Sequence, residues 1–280
     1  MYRSVLGSPV AQRNVVLVLL LGMAAASWAL LLLHGGRTDP GMPMASSTMG
    51  LSAPAFLAMW VVMMVAMMFP PAAPMIMTFN RIQSGRRERG EGFVSTWLFV
   101  GGYLLIWSLA GVAAYLGALA AEAIAARWEL SAAACARIAG VLLVAAGIYQ
   151  LTPLKKICLS KCRSPIGFIL SSWRDGARGA LRMGLVHGLY CLGCCWLLFL
   201  ILFPLGIMNI AAMALLTLVV FAEKSLAWER AAVYGTSAAL IAYGLVVIAV
   251  PRALPSFAAS PPGTNMPGMT MPGMSRPAGR

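Results

Sequence analysis

Apolar residues dominate seven stretches of the chain, near 14–33, 55–79, 93–120, 132–151, 182–203, 206–222 and 231–250, with polar residues gathered between them. Each stretch has the length a helix needs to cross a hydrocarbon core of about 30 Å. Inside lipid every backbone N–H and C=O must bond within its own segment, which makes helices the expected form, and no porin-like alternation is present. The pattern predicts an all-α fold, a polytopic transmembrane helical bundle of about seven spans over 14–250. A cytoplasmic segment, 1–13, precedes it, and a disordered Met/Pro/Gly-rich outer tail, 251–280, follows. The second stretch carries Pro70, Pro71 and Pro74, which are expected to break its hydrogen-bond ladder near mid-bilayer and mark a protected substrate path. The region around Pro204 reads as a tight hairpin or one broken helix.

Composition points the same way. Of 280 residues, 60% are hydrophobic and 10% charged, so one water-soluble core could not hide the apolar side chains. The net charge of +13 sits mainly in short connections, which argues for membrane orientation and against nucleic-acid binding. With the N-terminus cytoplasmic, 15 of the 21 basic residues fall inside, and Arg37, Arg127, Arg137, Arg252, Arg276 and Arg280 outside. The C-terminus is then outside, in a bacterial inner membrane. The apolar run from Val15 to Leu33 is too long for a signal-peptide core and is expected to stay as the first span.

Two Pro/Gly-rich segments share the outer side in this topology. One, Asp39 to Gly50, carries Met42, Met44 and Met49; the tail carries Met266, Met269, Met271 and Met274 and repeats Met-Pro-Gly-Met. Thioethers are soft, neutral ligands that suit monovalent copper or silver, although methionines of a low-complexity tail can also serve solubility. In the second stretch Met59, Met63 and Met67 lie within about 80° on a helix, while Met64 and Met68 occupy another face. These five are candidate ligands or flexible packing.

The densest constellation lies in the fifth stretch, where His187, Cys191, Cys194 and Cys195 fall within an arc of about 100°. His187 and Cys195 are about 12 Å apart along the axis, so two or three of the four could share an ion, and tetrahedral zinc lacks a fourth ligand. Gly184, Gly188 and Gly193 are expected to admit another helix closely, the second span being the expected partner. Cys158 and Cys162 are expected at the cytoplasmic mouth as metal donors, a redox pair or unrelated thiols. Glu223 is a candidate for gating or proton relay, and with Lys224 it could form a local ion pair or interfacial cap. His34 and Cys135 have no supporting motif.

Four strings carry a resemblance: Trp60-x-x-Met63-Met64-x-Ala66-Met67-Met68-x-Pro70; Gln150-Leu-Thr-Pro153-Leu-Lys155 with Cys158 and Cys162; the run His187 to Trp196; and Gly206-x-Met208-Asn209 with Glu223-Lys224. Over roughly 55–230 the chain resembles a bacterial family of integral membrane proteins described as predicted metal-binding, some of whose members are labelled copper chaperones. The resemblance implies membrane-embedded handling of a metal, with copper the best match.

The function expected is binding and transfer or delivery of Cu(I), without catalysis. The alternatives are a membrane thiol-disulfide electron carrier and an assembly scaffold for a membrane oxidase or oxygenase. No nucleotide-binding Gly-rich loop occurs, which disfavours ATP-driven pumping by this chain alone. Expected partners are membrane lipid, a copper chaperone or cuproenzyme, and further copies of the chain.

Overall fold

A computed structural model describes residues 9–35 and 50–254. The regular elements among the described residues are all helices, without strands. The long helices are α1 (Pro9–Gly35), α2 (Ala53–Glu88), α3 (Thr96–Arg127) and α4 (Ala132–Gln150). Two short helices, α5 (Pro153–Arg163) and α6 (Pro165–Ser172), lead to α7 (Gly176–Leu200). A single turn, α8 (Leu202–Leu205), then precedes α9 (Ile210–Ser225) and α10 (Glu229–Ala249).

Six segments are long and apolar enough to cross a membrane: Arg13–Leu33, Ala53–Glu88, Thr96–Arg127, Ala132–Gln150, Gly176–Leu205 and Glu229–Ala249. The seventh expected stretch corresponds to α9, whose 16 residues give about 24 Å at 1.5 Å per residue, shorter than the others. Around Pro204 the chain makes the hairpin, with Gly206 at φ +94° and the Asn209 side chain accepting from the backbone N–H of Ala212 to cap α9. The same logic starts α3, α4 and α5, where Ser95, Ser131 and Thr152 accept from first-turn N–H groups.

The prolines do not interrupt α2, which runs continuously for 36 residues. Pro70 lacks the N–H that would bond the Ala66 carbonyl four residues back. That carbonyl instead accepts from the indole N–H of Trp28 on α1, at 3.1 Å. A neighbouring helix thus supplies the donor that the proline removed.

Small residues set the tightest helix pairs. Gly184 leaves no space for a Cβ against the Phe99 carbonyl, and a Cβ on Gly188 would lie 2.9 Å from that of Ile106, so α7 lies directly on α3. Gly140, Gly147 and Gly244 do the same for α4 and α10, where Ser237 also donates to the Gly147 carbonyl at 2.8 Å. Gly184 and Gly188 of α7 therefore receive α3, and Gly193, on the other side of the helix, receives α5, where the sequence suggested α2.

Candidate functional site

Five cysteines from two helices lie together in the core. Cys191, Cys194 and Cys195 are buried on one face of α7. Across from them α5 is amphipathic, burying Lys155, Cys158, Leu159 and Cys162 at an i, i+3, i+4, i+7 spacing. The Cys162 thiol is in hydrogen-bonding reach of Cys191 and Cys194, and Cys195 is in reach of both as well. Cys158 packs over Gly193, where an added Cβ would lie 2.9 Å from its sulfur. The two α5 cysteines, expected apart at a cytoplasmic mouth, thus join the α7 thiols.

Cys191 is the hub. Lys224 Nζ donates to its sulfur at 3.0 Å, and the Tyr103 hydroxyl lies 3.1 Å from the same atom. The Cys194 and Cys195 thiols donate to the Cys191 carbonyl at 3.1 and 2.8 Å, as side chains one turn on can do. All six cysteines are free thiols.

His187 lies one turn below Cys191, 2% exposed and walled by Phe99, Tyr103 and Phe168 at ring-centroid distances of 5.8, 5.5 and 5.5 Å. Neither of its ring nitrogens has a hydrogen-bond partner. A buried imidazole normally satisfies at least one nitrogen, which leaves this one open to a ligand.

The second-span methionines are buried all round. Met63, Met64, Met67 and Met68 are each 0% exposed and Met59 is half-buried, so the two faces read from the sequence are both interior. Two sets of aromatic contacts tie α2 to its neighbours. Trp60 packs on Phe199 of α7 and donates to the Trp107 carbonyl at 2.9 Å, while Phe79 stacks on Phe99, which in turn stacks on His187.

A second buried polar group adjoins the thiols. Lys155, 1% exposed, pairs with Glu223, 2% exposed, at 2.7 Å. Gln150 donates to the other Glu223 oxygen at 3.0 Å and accepts from Lys155. Arg163 donates to the Glu223 carbonyl at 2.8 Å and forms an ion pair with Glu229. The adjacent residues Glu223 and Lys224 therefore do not pair with each other: one serves Lys155 and the other Cys191. Sequence reasoning missed Tyr103 and the roles of Gln150, Lys155 and Lys224. Lys155 was findable, because it begins the same helical series as Cys158 and Cys162; Tyr103 carried no signal.

Among the described residues no three or more His, Cys, Asp or Glu side chains form a group set to hold an ion. Met266, Met269, Met271 and Met274, like Met42, Met44 and Met49, lie outside the described residues.

Fold and site define an all-helical bundle with apolar helices of membrane-crossing length around a buried thiol cluster. A family model described as PpoB2, copper chaperone, matches residues 57–247, about two thirds of the chain, and the chain belongs to that family. No curated protein and no solved structure matches it.

Proposed function

We propose that this is a membrane-embedded protein that binds Cu(I) and transfers or delivers it. The N-terminus lies in the cytoplasm, the C-terminus on the outer side of the inner membrane, and copper is cargo in place of a resident cofactor. The observation that carries the reading is the burial of Cys158 and Cys162 of α5 in one core with Cys191, Cys194 and Cys195 of α7, Cys158 lying directly over Gly193. A pair of thiolates is a sufficient ligand set for a soft monovalent ion and an insufficient one for tetrahedral zinc. His187, with both nitrogens open, and the buried methionines of α2 supply neutral donors. Lys224 places a positive charge against the sulfur that would carry negative charge when copper is bound.

In this reading the outer methionines, including Met266, Met269, Met271 and Met274, capture Cu(I). Met59, Met63, Met64, Met67 and Met68 accept it, and the thiol cluster, with Cys158 at its edge, holds it. Glu223 fixes α5 through Lys155, so that its gating role becomes control of where Cys162 stands. A periplasmic cuproenzyme or soluble copper chaperone is the partner class, and lipid surrounds the bundle.

The test is Cu(I) competition affinity of the detergent-purified protein against a chromophoric chelator. It compares wild type with Cys162→Ser, Cys191→Ser/Cys194→Ser and a chain ending at Leu254. Copper held by wild type and lost in both cysteine variants supports the reading. Equal copper in all four proteins overturns it, and a Cys162–Cys194 or Cys162–Cys191 disulfide cycling in metal-free protein would favour the thiol-relay alternative.

A further inference from the structure

The start of α7 carries a second site, unrelated to copper. Arg174, Arg178 and Arg182, all exposed, line a recess of about 480 Å³ together with Asp175 and Gly179. Its floor is bare backbone: a Cβ on Gly179 would run into the carbonyl of Arg174, so only glycine lets the chain fold back there. The one acid in the lining is occupied elsewhere, since Asp175 accepts from Arg86 and, at 3.2 Å, from the Trp173 indole. None of the ion pairs among the described residues uses the three lining arginines. The recess therefore presents a concentrated positive charge.

Arg178 and Arg182, four residues apart on α7, lie within about 40° of each other, and Arg174 stands in the turn just before the helix. The same strip continues upward as Leu185, Leu189 and Trp196, all within about 40° of Arg178. Leu189 is 55% exposed and Trp196 41%. Leu189 stands about 16 Å above Arg178 at 1.5 Å per residue, comparable to one leaflet of a hydrocarbon core of about 30 Å. One exposed helix face thus passes from forked cations to apolar side chains over the length of an acyl chain.

We propose that this strip binds an anionic glycerophospholipid, with its phosphate in the arginine recess and an acyl chain along Leu185 and Leu189. Guanidinium forks match phosphate oxygens in pairs, and basic recesses at the cytoplasmic ends of membrane helices recognise such headgroups. Free phosphate shares the headgroup chemistry but would leave the leucine strip without a role.

The experiment uses full-length protein, delipidated in detergent and titrated with phosphatidylglycerol, phosphatidylcholine or inorganic phosphate. Bound lipid is counted by native mass spectrometry, and thermal stability is followed in parallel. Phosphatidylglycerol is expected to bind and stabilise, and the other two to do neither. Arg178→Gln should weaken it roughly fivefold and the triple Arg174→Gln/Arg178→Gln/Arg182→Gln roughly a hundredfold. The single variant, at an exposed position, serves if the triple does not fold. Equal binding of the two lipids, or unchanged affinity in Arg178→Gln, overturns the proposal. Inorganic phosphate acting as strongly as phosphatidylglycerol overturns the lipid assignment in favour of a soluble anion. Cu(I) affinity should be unchanged in Arg178→Gln.

Discussion

Lys224 donates to the sulfur of Cys191 at 3.0 Å, joining α9 to α7 inside the bundle through an ammonium group and a thiol. Both side chains are buried, at 8% and 0% exposure, so water cannot take the place of either partner. Outer-shell partners that support a metal ligand are typically worth about 10–100-fold in affinity. Lys224→Met is therefore expected to weaken Cu(I) binding by about that factor, while Lys224→Arg, which keeps the charge, retains more of it. The chelator competition assay reads both, and a Met variant with wild-type affinity would remove Lys224 from the site.

The Lys155–Glu223 pair makes a prediction about stability. Removing one partner of a buried pair leaves the other uncompensated, which costs about 3–5 kcal/mol, whereas apolar replacement of both is often neutral. Lys155→Met and Glu223→Met should each lower the unfolding midpoint strongly in a fixed detergent. The double variant should recover much of the loss. If the double variant loses the sum of the singles, the pair is not the unit that holds α5.

Two glycines on opposite sides of α7 should respond differently to alanine. At Gly184 the added Cβ would meet the Phe99 backbone, which cannot rotate away, so α3 and α7 must part. The expected cost is in the upper part of the roughly 1–3 kcal/mol usual for overpacking. At Gly193 the obstacle is the Cys158 thiol, a side-chain end that can turn aside, so Gly193→Ala should cost less than about 1 kcal/mol. Thermal unfolding of both variants beside Gly22→Ala, where nothing lies within 4 Å, checks the ordering.

Near the start of α7, Arg86 and then Trp173 hold the Asp175 carboxyl below the usual carboxylate range. A depressed folded-state pKa adds stability that is present above the unfolded value and lost as pH falls through the folded one. The tie between the end of α2 and the start of α7 should therefore loosen under acid conditions. Hydrogen exchange over residues 173–180 should quicken there, and Asp175→Asn should show the faster exchange already at neutral pH. Exchange in Asp175→Asn that matches wild type at neutral pH would refute the tie.

Much of this protein was written in its order of residues. Runs of apolar side chains long enough to span lipid dictate helices, because the backbone has nowhere else to bond, and five of the seven expected stretches appear as long helices at the expected places, with α7 and its turn α8 as the sixth. The cysteine and histidine face of α7 was legible for the same reason, since 100° per residue is local geometry. What the sequence did not disclose is partnership between segments far apart along the chain. The proline-rich α2 stays whole because Trp28 reaches Ala66 from another helix. Glu223 ignores its neighbour Lys224 because the pleasing local pair would leave Lys155 buried without a counter-charge. Cys162 enters the thiol cluster because Lys155, Cys158 and Leu159 bury the same face of α5 against α7. Local periodicity sets which face of each helix is sulfur-rich. Only packing, with its demand that every buried charge and carbonyl find a partner, decides which sulfur faces meet.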